Sequence, residues 1–363
     1  MKINFIDLAK RTNLHMKEYM EAVEQTFKRG IYILGDEVNN FENRFANYHS
    51  LDYAVGLNSG LDALIFAVKA VGIGKGDEVL VQANTFIATI LAITQSGATP
   101  VFVEPNEFFN IDSSILEKYI TPNTKAIIPV HLYGQPSDMV SIMQIANKHN
   151  LFVIEDCAQA HGAELAGRKV GTFGHIGCFS FYPTKPLGAF GDGGMIITNN
   201  LEYAKKIRML RNYGSEKKYY NDMIGFNSRL DELQASLLSV GLNHLDEENE
   251  MRINIANQYL TRINNDKIIL PLEFPDSKSV YHLFVIRASN RLDLQKYLST
   301  NNIETQIHYP VPPHLQKCYE FLGYTTGDFP KAEEYSSTVL SLPIYSGMSQ
   351  DDVNFVIDVI NLY

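Results

Sequence analysis

The sequence has few of the features that mark secreted, membrane-spanning or nucleic-acid-binding proteins. Its three cysteines are too few for a disulfide framework, and their spacing is not that of metal ligands. No apolar run approaches the roughly 18 residues that a membrane-spanning helix needs. The net charge of −10 argues against nucleic acid or an anionic membrane surface as the main partner. Since the first residues also lack the layout of a signal peptide, we expect a cytoplasmic protein.

The composition is that of an ordinary soluble protein, and the length suggests two domains. Hydrophobic residues make up 45% of the chain and charged residues 20%. At roughly 150 residues per domain, 363 residues predict one large and one small domain. A long helical stretch begins after residue 229, and we place the boundary within it. The predicted domains are residues 1–245 and 246–363.

Short apolar runs alternate with longer mixed segments between about residues 55 and 200. Continuous apolar strands that alternate with helices predict an α/β fold whose mostly parallel sheet is covered on both faces. The tail reads as strand, helix, strand and helix, which predicts a smaller C-terminal α/β domain. The six runs that predict buried strands of the large sheet lie at residues 77–82, 99–104, 125–132, 151–156, 178–182 and 194–199.

Polar residues follow several of these predicted strands directly, in the segments QANTF, PVHLYG, EDCAQAHG and YPTKP. Ligands of open α/β sheets usually bind just beyond the carboxyl ends of the strands. We therefore expect a ligand site at this edge of the sheet.

Asp156 closes one predicted strand, where a carboxylate partly out of water is costly unless a cation or a strong donor faces it. The pyridinium nitrogen of pyridoxal phosphate (PLP) would serve as that cation. A helix N-cap is the alternative for an aspartate at this position. Gln159, one helical turn later, could bond a hydroxyl of the same ring.

Lys185 ends another predicted strand, ahead of four glycines between residues 188 and 194. A lysine at the edge of a dry pocket can have a lowered pKa and form a Schiff base with an aldehyde. The glycines would let the backbone approach a cofactor closely. The alternative is a solvated surface lysine. That alternative accounts for the lysine but not for the glycines that follow it.

The segment at residues 56–72, GLNSGLDALIFAVKAVG, joins a turn of small residues to a helix with an apolar stripe. Backbone N–H groups at such a helix start bind phosphate, and Gly60 and Leu61 would aim theirs at it. An ordinary N-cap is the alternative. Ser180 could add a hydroxyl from a neighbouring strand. Phe86, at the start of another helix, could stack on an aromatic ring or belong to the core.

Taken in order, several segments closely resemble those of the DegT/DnrJ/EryC1/StrS family of nucleotide-sugar aminotransferases. These are NSGLDAL, ANTF, PVHLYGQP, EDCAQAHG, FSFYPTKPLGAFGDGG and GFNSRLDELQA. The resemblance runs from INFIDL near the start to LPIYSGMS near the end, so it covers nearly the whole chain. It implies the fold of the fold type I PLP-dependent aminotransferases.

The resemblance also implies roles for the residues around the cofactor. Lys185 would carry PLP as a Schiff base and move protons during the reaction. Asp156 would keep the pyridine nitrogen protonated. Gln159 would contact the ring hydroxyl, and Phe86 would stack on the ring.

By the same resemblance, Gly60, Leu61 and Ser180 would hold the cofactor's phosphate. Asn227 would reach the phosphate of the neighbouring protomer, which would make the active unit a homodimer with shared active sites. Arg229 would help with substrate phosphates, with a salt bridge to Asp231 or Glu232 as the alternative. The other residues that would line the substrate pocket are His131, Tyr133, His308 and Tyr309.

The chain departs from the common pattern of the family at two positions. Pro186 stands where an asparagine is usual after the lysine, which removes an N–H donor from the loop. Leu61 stands where many relatives have threonine, so a hydroxyl is missing near the predicted phosphate site. Neither change touches the lysine chemistry.

The activity that the resemblance implies is transfer of an amino group from L-glutamate to a ketone on a nucleotide-linked sugar. The SGLDAL and FYPTKPLGAFGDGG forms look most like the branch that aminates C-3 of dTDP-3-keto-6-deoxyhexoses. The product would be a dTDP-3-amino-3,6-dideoxyhexose. The alternatives are amination of a 4-keto or UDP-linked sugar, or an inactive PLP-binding regulatory protein.

Overall fold

The structure is a computed structural model that describes residues 2–363. Helices and strands alternate through the first half of the chain. The helices are α1 (Leu8–Leu14), α2 (Met16–Arg29), α3 (Asp36–Tyr48), α4 (Gly60–Ala70), α5 (Ile87–Gln95), α6 (Met139–His149), α7 (Leu201–Leu210), α8 (Glu232–Arg262), α9 (Arg291–Thr300), α10 (Pro330–Thr338) and α11 (Gln350–Asn361). The strands are β1 (Tyr53–Leu57), β2 (Glu78–Gln82), β3 (Thr99–Val103), β4 (Thr124–Ile128), β5 (Phe152–Asp156), β6 (Glu164–Leu165), β7 (Arg168–Lys169), β8 (Ile176–Ser180), β9 (Gly194–Thr198), β10 (Ser215–Lys217), β11 (Tyr220–Asn221), β12 (Ser277–Lys278), β13 (Phe284–Arg287) and β14 (Val339–Leu342).

A seven-stranded sheet in the order β1-β9-β8-β5-β4-β2-β3 forms the centre of the large unit. The strands from β8 to β3 pair in parallel, which confirms the predicted mostly parallel sheet. Strand β9 is the exception, since it is antiparallel to both β1 and β8. The connection from β8 to β9 therefore begins and ends at the carboxyl edge of the sheet and carries Lys185 there.

The predicted strands match the observed ones with small differences at their ends. The run at 125–132 extends too far, because β4 ends at Ile128 and Pro129 has no N–H group to continue the ladder. The run at 178–182 is shifted, since β8 covers Ile176–Ser180. Strand β1 was not among the predicted strands.

Helices cover both faces of the sheet, because successive residues of one strand pack against helices on opposite sides. Val79 and Val81 of β2 belong to a core that includes α4 and α5. Leu80, between them, packs in a separate core with Met139 and Ile142 of α6. Because neighbouring residues of one strand are buried on opposite sides, the strand reads as a continuous apolar run.

The C-terminal third has a core of its own, in which α8, α9 and α11 surround the β13–β14 pair. Helix α8 runs without a break through the predicted boundary at residues 245 and 246. Ile3, from the other end of the chain, is buried in the same core and pairs with Ile303. The division into residues 1–245 and 246–363 remains our proposal. The first described residues nevertheless pack on the smaller unit, through Ile3. Within residues 2–363, no helix is long and apolar enough to cross a membrane.

We predict that Glu155 of β5 stabilises the large unit through its buried carboxylate. This side chain is fully buried and accepts N–H groups from Gly171 at 2.7 Å, Phe173 at 2.7 Å and Gly174 at 2.6 Å. Glu155→Ala would leave these donors without an acceptor and should lower the free energy of unfolding by roughly 3–5 kcal/mol in urea titrations.

The matched control is Glu202→Ala, which removes an exposed glutamate whose ion pair within residues 2–363 is with Lys205 on the same helix. It should change the free energy of unfolding by less than about 0.5 kcal/mol. Equal effects of the two substitutions would contradict the role given to Glu155.

Candidate active site

The predicted site residues meet at the carboxyl edge of the sheet, where β5 and β8 end and α4 and α5 begin. Asp156 is the last residue of β5. Lys185 does not end its strand as predicted, because β8 stops at Ser180. The lysine lies in the following turn, where its N–H donates to the carbonyl oxygen of Tyr182 at 2.9 Å. Its side chain is partly buried.

Asp156 is a buried carboxylate with few partners of its own. It is 5% exposed, and it accepts the hydroxyl of Thr89 at 2.8 Å and the N–H of Ala158 at 3.1 Å. Burial raises its pKa, while these two bonds and the charge of Lys185 oppose the rise. No helix begins after Asp156, so the alternative of a helix N-cap is wrong. A cation facing this carboxylate would lower its energy.

Thr89 is a site residue that the sequence analysis missed. It is 1% exposed on the first turn of α5, and its hydroxyl lies 3.2 Å from that of Thr85. The signal in the sequence is the pair of threonines four residues apart, one just before α5 and one in its first turn. Thr89 fixes the direction of one oxygen of Asp156, and the N–H of Ala158 binds the other.

The pKa of Lys185 is lowered to about 8 because burial disfavours the ammonium form, although the charge of Asp156 favours it. Three histidines carry lowered pKa values in the same region, each mainly through burial and also through the charge of Lys185. They are His161, His282 and His308, the last with a pKa of about 4. The site therefore holds neutral imidazoles around one amine that can lose its proton near neutral pH.

The start of α4 offers unpaired backbone donors, as predicted for the phosphate site. Ser59 accepts the N–H of Asp62 at 3.1 Å and so caps the helix. The N–H groups of Gly60 and Leu61 precede the first intrahelical bond, from Ala63 to Ser59, and so have no partner within the helix. A Cβ atom at Gly60 would lie 2.5 Å from the Cβ of Ser180, so only glycine lets the helix start approach Ser180.

The glycines after Lys185 serve chain packing more than the predicted approach of a cofactor. A Cβ atom at Gly188 would lie 2.4 Å from the carbonyl oxygen of Pro183, and one at Gly194 would lie 2.2 Å from that of Ser59. Gly194 thus brings the start of β9 against the turn that begins α4. These contacts hold the lysine loop and the helix start together.

Gln159 connects the edge of the sheet to the aromatic residues above it. Its side-chain oxygen accepts the N–H of Tyr133 at 2.7 Å, and its amide nitrogen donates to the hydroxyl of Tyr309 at 3.0 Å. One amide hydrogen remains for a ligand. The ring of Tyr309 lies 5.2 Å from that of Phe86, which is 49% exposed. The hydroxyl of Tyr133 donates to the carbonyl of His308, so these predicted site residues form one wall.

His131 is placed differently from the prediction. It is fully buried, one ring nitrogen lies 3.0 Å from Glu155, and the other accepts the N–H of Ser137 at 3.0 Å. Both nitrogens are thereby committed to the protein interior. The structure contradicts the predicted substrate contact and gives His131 a place in the core behind Asp156.

Asn227 and Arg229 lie apart from this wall. Asn227 is exposed and forms a backbone bridge with Asn212, whose side chain accepts from Arg229 at 3.2 Å. The alternative of a salt bridge from Arg229 to a nearby acid is wrong. Glu232 instead accepts the backbone N–H groups of Gly35, Glu37 and Val38, at the start of α3, and Asp231 forms no ion pair within residues 2–363.

The donor set fits PLP. The buried carboxylate of Asp156 suits a pyridinium nitrogen, and the N–H groups of Gly60 and Leu61 suit a phosphate. The amine of Lys185, with its lowered pKa, suits an aldehyde. The exposed face of Phe86 suits an aromatic ring.

Comparisons with known proteins agree with this site. The DegT/DnrJ/EryC1/StrS aminotransferase family matches residues 13–361. The chain is 51% identical to the dTDP-3-amino-3,6-dideoxy-alpha-D-galactopyranose transaminase of Aneurinibacillus thermoaerophilus, over 99% of both chains. It is 43% identical to a pleiotropic regulatory protein of Geobacillus stearothermophilus, over 99% of this chain and 97% of that one. A crystal structure of DesV from S. venezuelae superposes with a TM-score of 0.98 at 44% identity, over 99% of this chain and 98% of DesV.

We predict that Lys185 reacts with small aldehydes at lower pH than the other lysines. Only the neutral amine reacts, and burial makes the neutral form available above a pKa of about 8. In cofactor-free protein, reductive methylation of Lys185 should rise with pH through about 8, as peptide mass spectrometry would record. Exposed Lys17 provides the internal comparison, and coincident profiles for the two lysines would contradict the prediction.

Proposed function

The chain belongs to the DegT/DnrJ/EryC1/StrS aminotransferase family, and from this we propose that it transfers an amino group from L-glutamate to C-3 of a dTDP-3-keto-6-deoxyhexose. The product is a dTDP-3-amino-3,6-dideoxyhexose, and the cofactor is PLP. The observation that carries the choice of sugar is the 51% identity over almost the full length to a transaminase named for such a product.

The residues of the site have distinct tasks in this proposal. Bound PLP supplies an aldehyde that takes up the amino group and a ring that withdraws electrons from the reacting carbon. Asp156, oriented by Thr89, holds the proton on the ring nitrogen. Gly60 and Leu61 bind the phosphate through their backbone N–H groups, with the hydroxyl of Ser180 beside them.

Lys185 acts as the proton carrier. Its side-chain nitrogen would take the proton from the α-carbon of the amino donor and would deliver a proton to the former aldehyde carbon of PLP, on the other side of the transferred nitrogen. A pKa of about 8 leaves a substantial part of the amine neutral near physiological pH, which this task requires. The sugar lies against the wall formed by Tyr309, Tyr133 and His308, where the free amide hydrogen of Gln159 also points into the site.

We predict that Lys185→Ala abolishes amino transfer while the protein stays folded. The substitution removes the proton carrier, and losses of general acid–base catalysis alone reach roughly 100- to 10,000-fold. Product formation from L-glutamate and dTDP-3-keto-6-deoxyglucose or its galacto epimer would be followed by chromatography. Circular dichroism would check the fold.

Two outcomes of this assay bear on the proposal differently. If Lys185→Ala keeps substantial activity, the role of the lysine is wrong. If the wild-type protein takes nitrogen from L-glutamate but aminates neither 3-keto sugar, the aminotransferase stands and the proposed substrate is wrong. UDP-linked and 4-keto sugars would then be tried.

We further propose that the active unit is a homodimer with shared sites. Helix α2 exposes Met20 at 59% and Phe27 at 58%, and the segment after α7 exposes Tyr219 at 85% and Ile224 at 92%. Exposed apolar side chains in such number are typical of a surface that another protein covers. Asn227 lies next to the second of these segments, which supports its predicted reach into the neighbouring protomer.

Mixed dimers provide a direct test of this arrangement. Lys185→Ala and Asn227→Ala proteins should each be weakly active or inactive alone. If Asn227 acts across the interface, a mixed dimer contains one site with both residues intact. Refolding equal amounts together should then recover about a quarter of the wild-type activity, because half of the dimers are mixed. If Asn227 acts within its own protomer, mixing would recover nothing.

A regulatory role without catalysis is the second candidate, favoured by the name of the Geobacillus relative. A sensor would bind PLP but would not take up the amino group of L-glutamate. Adding L-glutamate to the protein with its cofactor distinguishes the two, because only the aminotransferase changes the visible spectrum and releases a 2-oxo acid.

A further inference from the structure

Arg11 of α1 binds the main chain at Lys185, although it lies 174 residues away in the sequence. One guanidinium nitrogen donates to the carbonyl oxygen of Lys185 at 2.8 Å, and the other donates to that of Pro186. The side chain of Arg11 is 15% exposed. A planar guanidinium suits this task, because it can donate in two directions at once.

Glu248 of α8 anchors this arginine. Its carboxylate lies 2.6 Å from Nε of Arg11 and is itself 2% exposed. The same carboxylate accepts the hydroxyl of Ser346 at 3.2 Å, and Ser346 accepts from Arg252 at 3.0 Å. Residues from the first helix, the long helix and the C-terminal unit therefore converge on the lysine loop.

The main chain at Lys185 is fixed on both sides. Its N–H donates to Tyr182, and its carbonyl oxygen accepts from Arg11. Pro186 has no N–H group and also restricts the conformation of the residue before it. Because Pro186 cannot donate a hydrogen bond, the loop is held there through its carbonyl groups instead. The bonds from Arg11 to the carbonyl oxygens of Lys185 and Pro186 provide this restraint.

We propose that Arg11, held by Glu248, is a positioning residue for Lys185. It does not touch the amine, but it sets the direction in which the lysine side chain leaves the main chain. This inference rests on the proposed function, since it assigns Lys185 a catalytic task. Misplacement of a catalytic group by about 1 Å costs on the order of 100-fold in rate.

The test uses Arg11→Lys, which keeps a cation but replaces three separate guanidinium nitrogens, bound to Glu248 and to the two carbonyl groups, with a single nitrogen on a flexible chain. With the cofactor bound, kcat for amino transfer should fall roughly 10- to 100-fold while KM for the sugar changes little. In cofactor-free protein, the pH midpoint for methylation of Lys185 should move up from about 8 towards the ordinary lysine value of 10.5, because a looser loop admits water. The charged and titratable groups around this amine, Asp156, His161, His282 and His308, stay unchanged.

Two further variants keep the test decisive. Glu248→Gln retains an acceptor for Arg11 without the charge and should move kcat and the pH midpoint in the same direction by a smaller amount. Lys10→Ala is the matched control, because Lys10 lies on the same helix and pairs with Asp352 of α11 at 3.4 Å, away from the lysine loop. It should leave both quantities as in the wild type.

A lowered melting temperature of Arg11→Lys, with wild-type kcat and methylation profile, would overturn the proposal and leave Arg11 a purely structural residue. The methylation readout does not depend on the sugar. If the wild-type protein proved inactive on every keto sugar, the proposed function would fail, while the profile would still decide whether Arg11 positions Lys185.

Discussion

The site depends on two opposite charges that the fold places at one edge of the sheet, the acid buried and the amine partly buried. Asp156 ends β5, and Lys185 follows β8, which is the parallel neighbour of β5 in the sheet. Burial works against both charges, raising the pKa of the acid and lowering that of the amine to about 8. Burial therefore makes the neutral, nucleophilic amine of Lys185 available and leaves the carboxylate of Asp156 in need of a cation, and much of the surrounding structure holds the two in place.

The sequence allowed the sheet and the chemistry at its edge to be predicted because both depend on neighbours in the chain. Apolar runs mark the strands, and Asp156 and Lys185 follow such runs within a few residues. The errors came from tertiary contacts. His131 has the residue type of a ligand-binding group, yet Glu155 and Ser137 occupy both of its nitrogens. Thr89 and Arg11 escaped notice because their partners lie 67 and 174 residues away.

The glycines after Lys185 have a different structural cause from the one predicted. They lie at the candidate site, but Gly188 and Gly194 are small because carbonyl groups of Pro183 and Ser59 lie against them. A larger residue at position 194 would separate the lysine loop from the helix that begins at Gly60. The amine and the predicted phosphate site are thus held at a fixed separation by backbone packing, which a rigid cofactor with groups at both ends requires.

The burial of Ile3 in the C-terminal core has a consequence for biosynthesis. The first residues leave the ribosome early, yet their partners Ile303 and Glu304 are made near the end of the chain. Arg11 likewise waits for Glu248 before it can bind the lysine loop. The sheet of the large unit depends on residues made before position 200, whereas the contacts that hold the first residues and the lysine loop wait for residues beyond position 245.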